Sequence, residues 1–400
     1  MNVQPQYFID PSGIDSLFSA LRQRGYNLIG PTVRDNVVVY DALASAADLP
    51  VGWRDEQAPG SYRLKKQADR RLFGFTLGPQ SWKKILFPPA LKLFSAGRSN
   101  DGVLAIDGTH NSEGEDSALK SSEPPAVAFI GVRPCELQAI AVQDKVFLHG
   151  AYVDTYYARI RERAFFVSVN CTVVGATCFC ASMSTGPKAD RGFDLALTEV
   201  FNNDAHYFVV TSGSGRGEEI ITDLHLREAS LHEIGEADRA VADAASSMKK
   251  SMDTTNIKEM LQQNLEHPRW NLVAERCLSC ANCTLVCPTC FCHTIEDTTD
   301  LTGTHAERWR KWDSCFTLDF SYIHGGSIRT SRKSRYRQWL THKLGNWLDQ
   351  FGTSGCVGCG RCITWCPVGI DITEEVKALR TTPATPPPMK KAEVNNNGVT

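Results

Sequence analysis

Two copies of one cysteine spacing lie near the end of this chain. Each copy reads C-x2-C-x2-C-x3-C-P, and the two copies are Cys277, Cys280, Cys283, Cys287 with Pro288, and Cys356, Cys359, Cys362, Cys366 with Pro367. Three thiolates spaced two residues apart can wrap one loop around three irons of a [4Fe-4S] cubane, while the fourth cysteine is carried away from it. The repeat therefore predicts two [4Fe-4S] clusters and a chain that carries electrons.

In bacterial two-cluster ferredoxins, the fourth cysteine of each run ligates the other cluster. The same crossing here assigns Cys277, Cys280, Cys283 and Cys366 to cluster 1, and Cys356, Cys359, Cys362 and Cys287 to cluster 2. Structural zinc also takes four cysteines, but usually as separated pairs around one tetrahedron. Cys283, Cys287 and Cys290 also have the C-x3-C-x2-C spacing of radical enzymes that cleave S-adenosylmethionine. The ferredoxin run already uses two of those three, so we disfavour both alternatives.

Composition bounds the remaining possibilities. The chain has 400 residues, 42% of them hydrophobic, which suggests two or three domains. Its 43 Lys and Arg against 45 Asp and Glu indicate neither nucleic acid nor an acidic membrane as a partner. The 15 cysteines are clustered at metal spacing, residues 1–10 have no apolar signal core, and no apolar run reaches the length of a membrane span. We therefore expect a cytoplasmic protein without a membrane role of its own.

The pattern of apolar residues divides the chain into two domains. Residues 1–234 alternate polar segments with extended apolar runs at 36–40, 126–132, 164–169 and 207–211, which predicts an α/β domain. Residues 110–125 have the composition of an exposed loop. From 235 to 266 the pattern turns helical, so we expect an α-rich C-terminal dicluster domain of the bacterial ferredoxin type over 235–380. Residues 381–400 predict a disordered tail.

A long insertion, residues 288–355, separates the two cysteine runs. Its stretch 307–343 carries a local excess of six positive charges, counting Arg308, Arg310, Lys311, Arg329, Arg332, Lys333, Arg335, Arg337 and Lys343 against Glu307, Asp313 and Asp319. Aromatic residues lie among these charges, a pattern that can mark a single-stranded nucleic-acid groove. We favour two other interpretations: cations that balance anionic clusters or form a docking face, and a solvated surface over an aromatic core.

A third group of cysteines lies in the N-terminal domain. Cys135 follows the strand 126–132 at the start of a predicted helix, where the helix dipole favours a thiolate. Cys171 follows the strand 164–169, and Cys178 and Cys180 lie in the next loop. Parallel neighbouring strands would bring these four cysteines to one sheet edge, which predicts a third [4Fe-4S] site, although free cysteines are often small core residues. For Cys290, Cys292 and Cys315 we expect that core role.

Several stretches resemble a known family. The segments CLSCANCTLVCPTCFC from Cys277, WDSCFTLDFSYIHGGSIRTSRKSRYRQWLTHKL from Trp312 and GCVGCGRCITWCPVGIDIT from Gly355 are similar to the iron-sulfur beta subunit of cytoplasmic NAD(P)-linked [NiFe] hydrogenases, or sulfhydrogenases. The electron-transfer subunit of anaerobic sulfite reductase shares the pattern. GVRPCELQAI, NCTVVGATCFCASMSTGP and FGFTLGPQSWKKILFPP extend the similarity over most of residues 60–375. The third cysteine group lies inside these motifs, so the resemblance supports a third cluster.

The resemblance implies an electron-transfer subunit of an oxidoreductase complex, with no catalytic site on this chain. Its partners would be the small and large [NiFe] hydrogenase subunits with a flavin and NAD(P)-binding subunit, or else a sirohaem sulfite reductase subunit. The chain lacks paired C-x2-C motifs at its ends and a convincing G-x-G-x-x-G, so we expect the nickel site, flavin and nicotinamide on other chains. The alternative class is a nucleic-acid-binding protein with structural clusters; no residue constellation supports a standalone reductase.

Overall fold

The computed structural model describes residues 5–76, 78–98, 104–108, 125–202 and 205–381. The expected loop over 110–125 and the expected tail lie almost entirely outside these described residues. The strands are β1 Gln6–Ile9, β2 Asn27–Arg34, β3 Val37–Ala42, β4 Trp53–Ala58, β5 Ser61–Lys66, β6 Ala90–Arg98, β7 Leu104–Gly108, β8 Val127–Val132, β9 Phe165–Val169, β10 Leu195–Phe201, β11 His206–Ser212, β12 His293–Thr299, β13 His305–Trp312, β14 Tyr322–Ile323 and β15 Gly326–Ser327.

Helices lie between and after these strands. They are α1 Gly13–Gln23, α2 Lys83–Leu86, α3 Pro134–Phe147, α4 Thr155–Arg163, α5 Gly215–Asp223, α6 Leu231–Ser246, α7 Ile257–Gln263, α8 Arg269–Arg276, α9 Asn282–Leu285, α10 Arg332–Thr341, α11 Trp347–Phe351, α12 Arg361–Thr364 and α13 Ile372–Thr381. No helix of the described residues is long and apolar enough to cross a membrane.

The N-terminal region is built on a seven-stranded sheet with the order β1-β11-β10-β9-β8-β2-β3. The four strands β10, β9, β8 and β2 are parallel, and the outer pairings are antiparallel. Every residue of β8 and β9 is buried, as expected for parallel strands covered on both faces. The prediction that these two strands are parallel neighbours is confirmed, because Ala128 pairs with Phe165 and Phe129 with Phe166.

The crossover from β8 to β9 begins with α3. Pro134 lies in its first turn, where a missing backbone donor costs nothing. The Glu136 carboxylate accepts a hydrogen bond from the Arg133 backbone N–H at 3.3 Å and so helps to cap the helix. Since β8 and β9 end at the same edge of the sheet, the residues that follow them, Cys135 and Cys171, are brought to that edge.

A second sheet, ordered β12-β13-β6-β7, joins the two halves of the chain. The insertion contributes the hairpin β12 and β13, and β13 pairs with β6 of the N-terminal half. The prediction of an α-rich C-terminal part is therefore confirmed only in part, because this part contains strands as well as helices. Cross-strand charge pairs stabilise the hairpin: Arg308 lies directly opposite Asp297 and donates to its carboxylate at 2.6 Å.

The helices of the C-terminal half enclose a separate core. Trp270 of α8, Tyr336, Trp339 and Leu340 of α10 and Phe316 are nearly inaccessible to solvent and pack together. A π-helical segment, His342–Asn346, connects α10 to α11. The cysteine runs lie against this core, with the short helix α9 in the first run and α12 in the second. The aromatic residues of the insertion therefore divide between this core and the surface, where Tyr322 is exposed.

Candidate iron-sulfur sites

The two cysteine runs have the same backbone conformation. Ser279 and Gly358, at matching positions, have positive φ of 53° and 66°, and Ala281 and Gly360 have φ of 65° and 76°. In both runs the backbone N–H two residues after the first cysteine donates to its sulfur, with N···Sγ distances of 3.4 Å at Cys277 and 3.5 Å at Cys356. Both loops therefore curl around their first sulfur, and α9 and α12, which follow them, contact each other.

Cluster 1 was assigned to cysteines from both runs, and these four side chains line a common cavity. Its walls include Cys277, Cys280, Cys283 and Cys366, together with Phe316, Tyr336 and Trp339. The Ile370 backbone N–H donates to the Cys366 sulfur at 3.3 Å. Burial raises the pKa of Cys283 well above that of a free thiol, and the neighbouring cysteines add to the shift. Such an apolar wall fits a metal centre, because the free energy of metal binding offsets the cost of deprotonating the cysteine ligands.

Cluster 2 was assigned to Cys356, Cys359, Cys362 and Cys287, and these thiols also lie together. Burial raises the pKa of Cys362 well above its usual value, and the charges of the other three cysteines of the set raise it further. Cys287 behaves differently. A hydrogen bond from Cys290 lowers the pKa of the Cys287 thiol well below its usual value, and the Lys343 ammonium and the Thr289 hydroxyl contribute in the same direction.

The third cysteine group also converges at one place. Cys135, Cys178 and Cys180 are buried, and Cys171 is partly buried beside them. Burial raises the pKa of Cys178 to about 12, and the charge of Cys171 adds to it. The expectation that the start of α3 favours a Cys135 thiolate is wrong. Burial and the neighbouring thiol of Cys180 raise the pKa of Cys135 well above the usual value. The helix dipole is too weak to offset that desolvation.

The loop that carries the third group packs directly on the second cysteine run. The Phe179 backbone N–H donates to the Gly358 carbonyl at 2.9 Å, and the Thr185 hydroxyl donates to the Val357 carbonyl at 2.6 Å. A Cβ atom at Gly358 would lie 2.7 Å from backbone atoms of Cys180, so only glycine fits there. The second cysteine run therefore contacts both the loop of the third group and, through α9 and α12, the first run. We call the group of Cys359 the middle group and the three groups together the row.

A buried ion pair connects the two halves beside this row. An Arg361 guanidinium N–H donates to Glu136 Oε1 at 2.5 Å, and both side chains are 1% exposed. Glu136 also accepts from the Tyr40 hydroxyl at 2.8 Å and from the Trp82 indole at 3.1 Å. Sequence reasoning missed this network, because Glu136 and Arg361 lie in two motifs that are separated by 225 residues and neither motif indicates a contact with the other.

About half of the positive charges counted in the insertion are paired with carboxylates that the count left out. Lys311 pairs with Glu296 at 2.6 Å, Arg337 pairs with Glu266 at 2.8 Å, and Arg310 pairs with Asp154. Together with the Arg308–Asp297 pair, these contacts neutralise much of the expected basic surface. This arrangement disfavours a continuous nucleic-acid groove, because such a groove needs unpaired cations along it.

Cys290, Cys292 and Cys315 lie beside the second cysteine group. The Asp313 backbone N–H donates to the Cys292 carbonyl at 3.0 Å, which brings the two segments together. A hydrogen bond from Cys315 lowers the pKa of the Cys292 thiol to about 7. Among the described residues, no three His, Cys, Asp or Glu side chains converge closely enough to hold a single metal ion. The four ligands of a cubane each bind a different iron, so they stand further apart.

Comparisons with known proteins agree with this arrangement. Residues 276–370 match the family model of the 4Fe-4S dicluster domain. Sulfhydrogenase 2 subunit beta of Pyrococcus furiosus is 35% identical over 257 residues, which are 63% of this chain and 72% of that protein. No solved structure matches the chain. The dicluster match makes this an iron-sulfur, electron-transport protein, and the similarity over most of the relative places it among oxidoreductase subunits. The chain belongs to the family of sulfhydrogenase beta subunits.

Proposed function

We propose that this chain is the electron-transfer subunit of a cytoplasmic NAD(P)-linked [NiFe] hydrogenase complex. It would relay electrons between the hydrogenase small subunit, which works beside the nickel-bearing large subunit, and a flavin and NAD(P)-binding subunit. The observation that carries the proposal is the row of three cysteine groups, two of them inside the matched dicluster domain. The similarity to a sulfhydrogenase beta subunit favours hydrogenase over sulfite reductase.

The proposed ligands are the cysteine sets described above. Cluster 1 would be held by Cys277, Cys280, Cys283 and Cys366, cluster 2 by Cys356, Cys359, Cys362 and Cys287, and cluster 3 by Cys135, Cys171, Cys178 and Cys180. A [4Fe-4S] cluster, when bound, takes up and releases single electrons. Electrons could then pass along the row without any proton transfer or nucleophile on this chain.

The protein's own residues set the conditions for that transfer. Phe316, Tyr336 and Trp339 exclude water from the first group, which lowers the local dielectric. Backbone N–H groups donate to the sulfurs of Cys277, Cys356 and Cys366, and such hydrogen bonds stabilise added negative charge. Cys280 is the exposed cysteine of the first group, so this end of the row is open to a partner.

Anaerobic purification of the native complex through a tag on this chain tests the proposal. We expect a flavin-containing subunit to co-purify together with a nickel-containing large subunit, and hydrogen gas to reduce the iron-sulfur signals seen by electron paramagnetic resonance. Co-purification with a sirohaem subunit instead would assign the chain to a sulfite reductase. Tight binding of nucleic acid at physiological salt, with iron-sulfur signals that resist reduction, would reject an electron-transfer function altogether.

A matched pair of variants tests whether electrons pass through the middle cysteine group inside that complex. Cys359→Ser removes a ligand from the middle group, so hydrogen-dependent reduction of NAD(P) should fall at least tenfold while reduction of an artificial dye at the hydrogenase end continues. Cys315→Ser changes a cysteine outside the three groups and should leave both activities intact. Equal NAD(P) reduction by the two variants would contradict a path through the middle group.

A further inference from the structure

Lys343 is a buried cation placed against a cysteine of the middle group. Its side chain is almost inaccessible to solvent, and its ammonium donates to the Cys287 sulfur at 3.2 Å and to the Thr289 hydroxyl at 3.2 Å. The backbone around it is unusual, because Lys343 lies in the π-helical segment His342–Asn346. π-helical turns are rare and often occur at functional sites, where they reorient a side chain.

The same residue connects the two cysteine runs. The Lys343 ammonium donates to the Gly355 carbonyl at 3.0 Å, and the Gly355 backbone N–H donates to the Lys343 carbonyl at 2.8 Å. Gly355 directly precedes Cys356, so Lys343 contacts the last cysteine of the first run and the start of the second. A Cβ atom at Gly355 would lie 2.9 Å from the Lys343 carbonyl oxygen, which shows how closely the two segments approach.

Within the described part of the chain, no carboxylate pairs with this charge. None of the ion pairs formed by the described residues includes Lys343; the acidic groups near it are the thiols of Cys287, Cys290 and Cys356. A buried ammonium without a counter-ion is strongly destabilising, so such groups occur where a negative charge is present. The buried ammonium of Lys343 therefore indicates that the middle cysteine group carries negative charge.

We propose that Lys343 is a positioning residue that raises the reduction potential of the cluster held by Cys356, Cys359, Cys362 and Cys287. The proposal rests on the proposed function, since it takes Cys287 as a cluster ligand. Reduction adds one electron and hence one negative charge to the site. A fixed positive charge and an N–H···S hydrogen bond at a ligand sulfur stabilise that added charge more than they stabilise the oxidised form.

The consequence would be a difference between the potentials of the first and middle sites. Among the described residues, no lysine or arginine side chain donates a hydrogen bond to a sulfur of the first group, where the donors to Cys277 and Cys366 are backbone N–H groups. The middle site, which has a direct ammonium contact, would thus be reduced more easily than it would be without Lys343.

Redox titration of the purified complex, followed by electron paramagnetic resonance, tests this role. Lys343→Met removes the charge and the donor, and Lys343→Gln removes the charge but keeps an N–H donor. We expect the midpoint of one signal to become more negative in both variants. In Lys343→Met the equilibrium constant for reduction should fall at least tenfold, which lowers the midpoint potential by 59 mV for a one-electron couple. The shift should be smaller in Lys343→Gln. Lys343→Arg should keep most of the wild-type potential.

Lys333→Met is the matched control, because it removes a lysine from α10 that is partly exposed and 3.9 Å from Glu266. Its potentials should equal those of the wild type. An unshifted signal in Lys343→Met with full iron content would overturn the proposal. Loss of the middle cluster in both neutral variants would also overturn it, since Lys343 would then serve assembly alone. Absence of iron-sulfur signals in the wild-type complex would instead be a failure of the proposed function.

Discussion

Removing one partner of the buried Arg361–Glu136 pair should destabilise the protein strongly. Arg361 donates to Glu136 at 2.5 Å, to the Gly78 carbonyl at 2.9 Å and to the Gln80 carbonyl at 2.8 Å, and its side chain is 1% exposed. In Arg361→Met the Glu136 carboxylate keeps its bonds from Tyr40 and Trp82 but loses its counter-ion. Breaking a buried pair on one side costs roughly 3–5 kcal/mol, so we expect a loss of that size in the free energy of unfolding.

The measurement is an anaerobic guanidinium titration followed by far-ultraviolet circular dichroism, made on Arg361→Met, Glu136→Gln and the double variant. The double variant should cost less than the two single losses together, by about 1–3 kcal/mol, because the second change no longer strands a charge. Arg34→Met is the control: its pair with Asp41 at 2.7 Å is exposed, so it should cost less than about 1 kcal/mol. Additive single effects, or a cost for Arg361→Met no larger than for Arg34→Met, would refute the reasoning.

Three further variants test other parts of the account. Gly358→Ala forces a Cβ to 2.7 Å from the Cys180 backbone. We therefore expect a loss of roughly 1–3 kcal/mol in unfolding free energy and early loss of iron from the third site. The control Gly97→Ala, whose Cβ would have no atom within 4 Å, should behave as wild type. Trp339→Ala empties the wall of the first group and should cost about 3–5 kcal/mol; its visible absorbance should bleach faster in air, and an unchanged bleaching rate would show that the wall does not exclude water. Cys315→Ser should retain the wild-type iron content, and a fall of about four irons would instead place that cysteine in a cluster.

The local features of the fold could be predicted from the sequence. The repeated cysteine spacing, the strands β8 and β9 and the position of Pro134 in the first turn of α3 each depend on a few consecutive residues. Because the connection between β8 and β9 is long enough for a βαβ unit and consecutive strands are usually neighbours, their parallel pairing could be expected too. These features were sufficient to bring Cys135 and Cys171 to one edge of the sheet.

The long-range features could not be predicted in the same way. The hairpin of β12 and β13 depends on its pairing with β6, about 200 residues earlier in the chain, so its charged sequence alone predicts a surface in an α-rich domain. The direction in which the pKa of Cys135 shifts depends on its burial, which its position at a helix start does not reveal. Lys343 was counted as one of nine basic residues, and only its contact with Cys287 distinguishes it from the others.

The most direct test of the central claim is the iron and acid-labile sulfide content of the anaerobic complex, corrected for the irons of its partners. We expect about 12 irons on this chain, and about 8 in the variant that carries both Cys135→Ser and Cys178→Ser, since each [4Fe-4S] cluster holds four. The electron paramagnetic resonance spectrum of the reduced variant should lose one signal and keep two. A wild-type content of about 8 irons that the double variant leaves unchanged would contradict a row of three clusters.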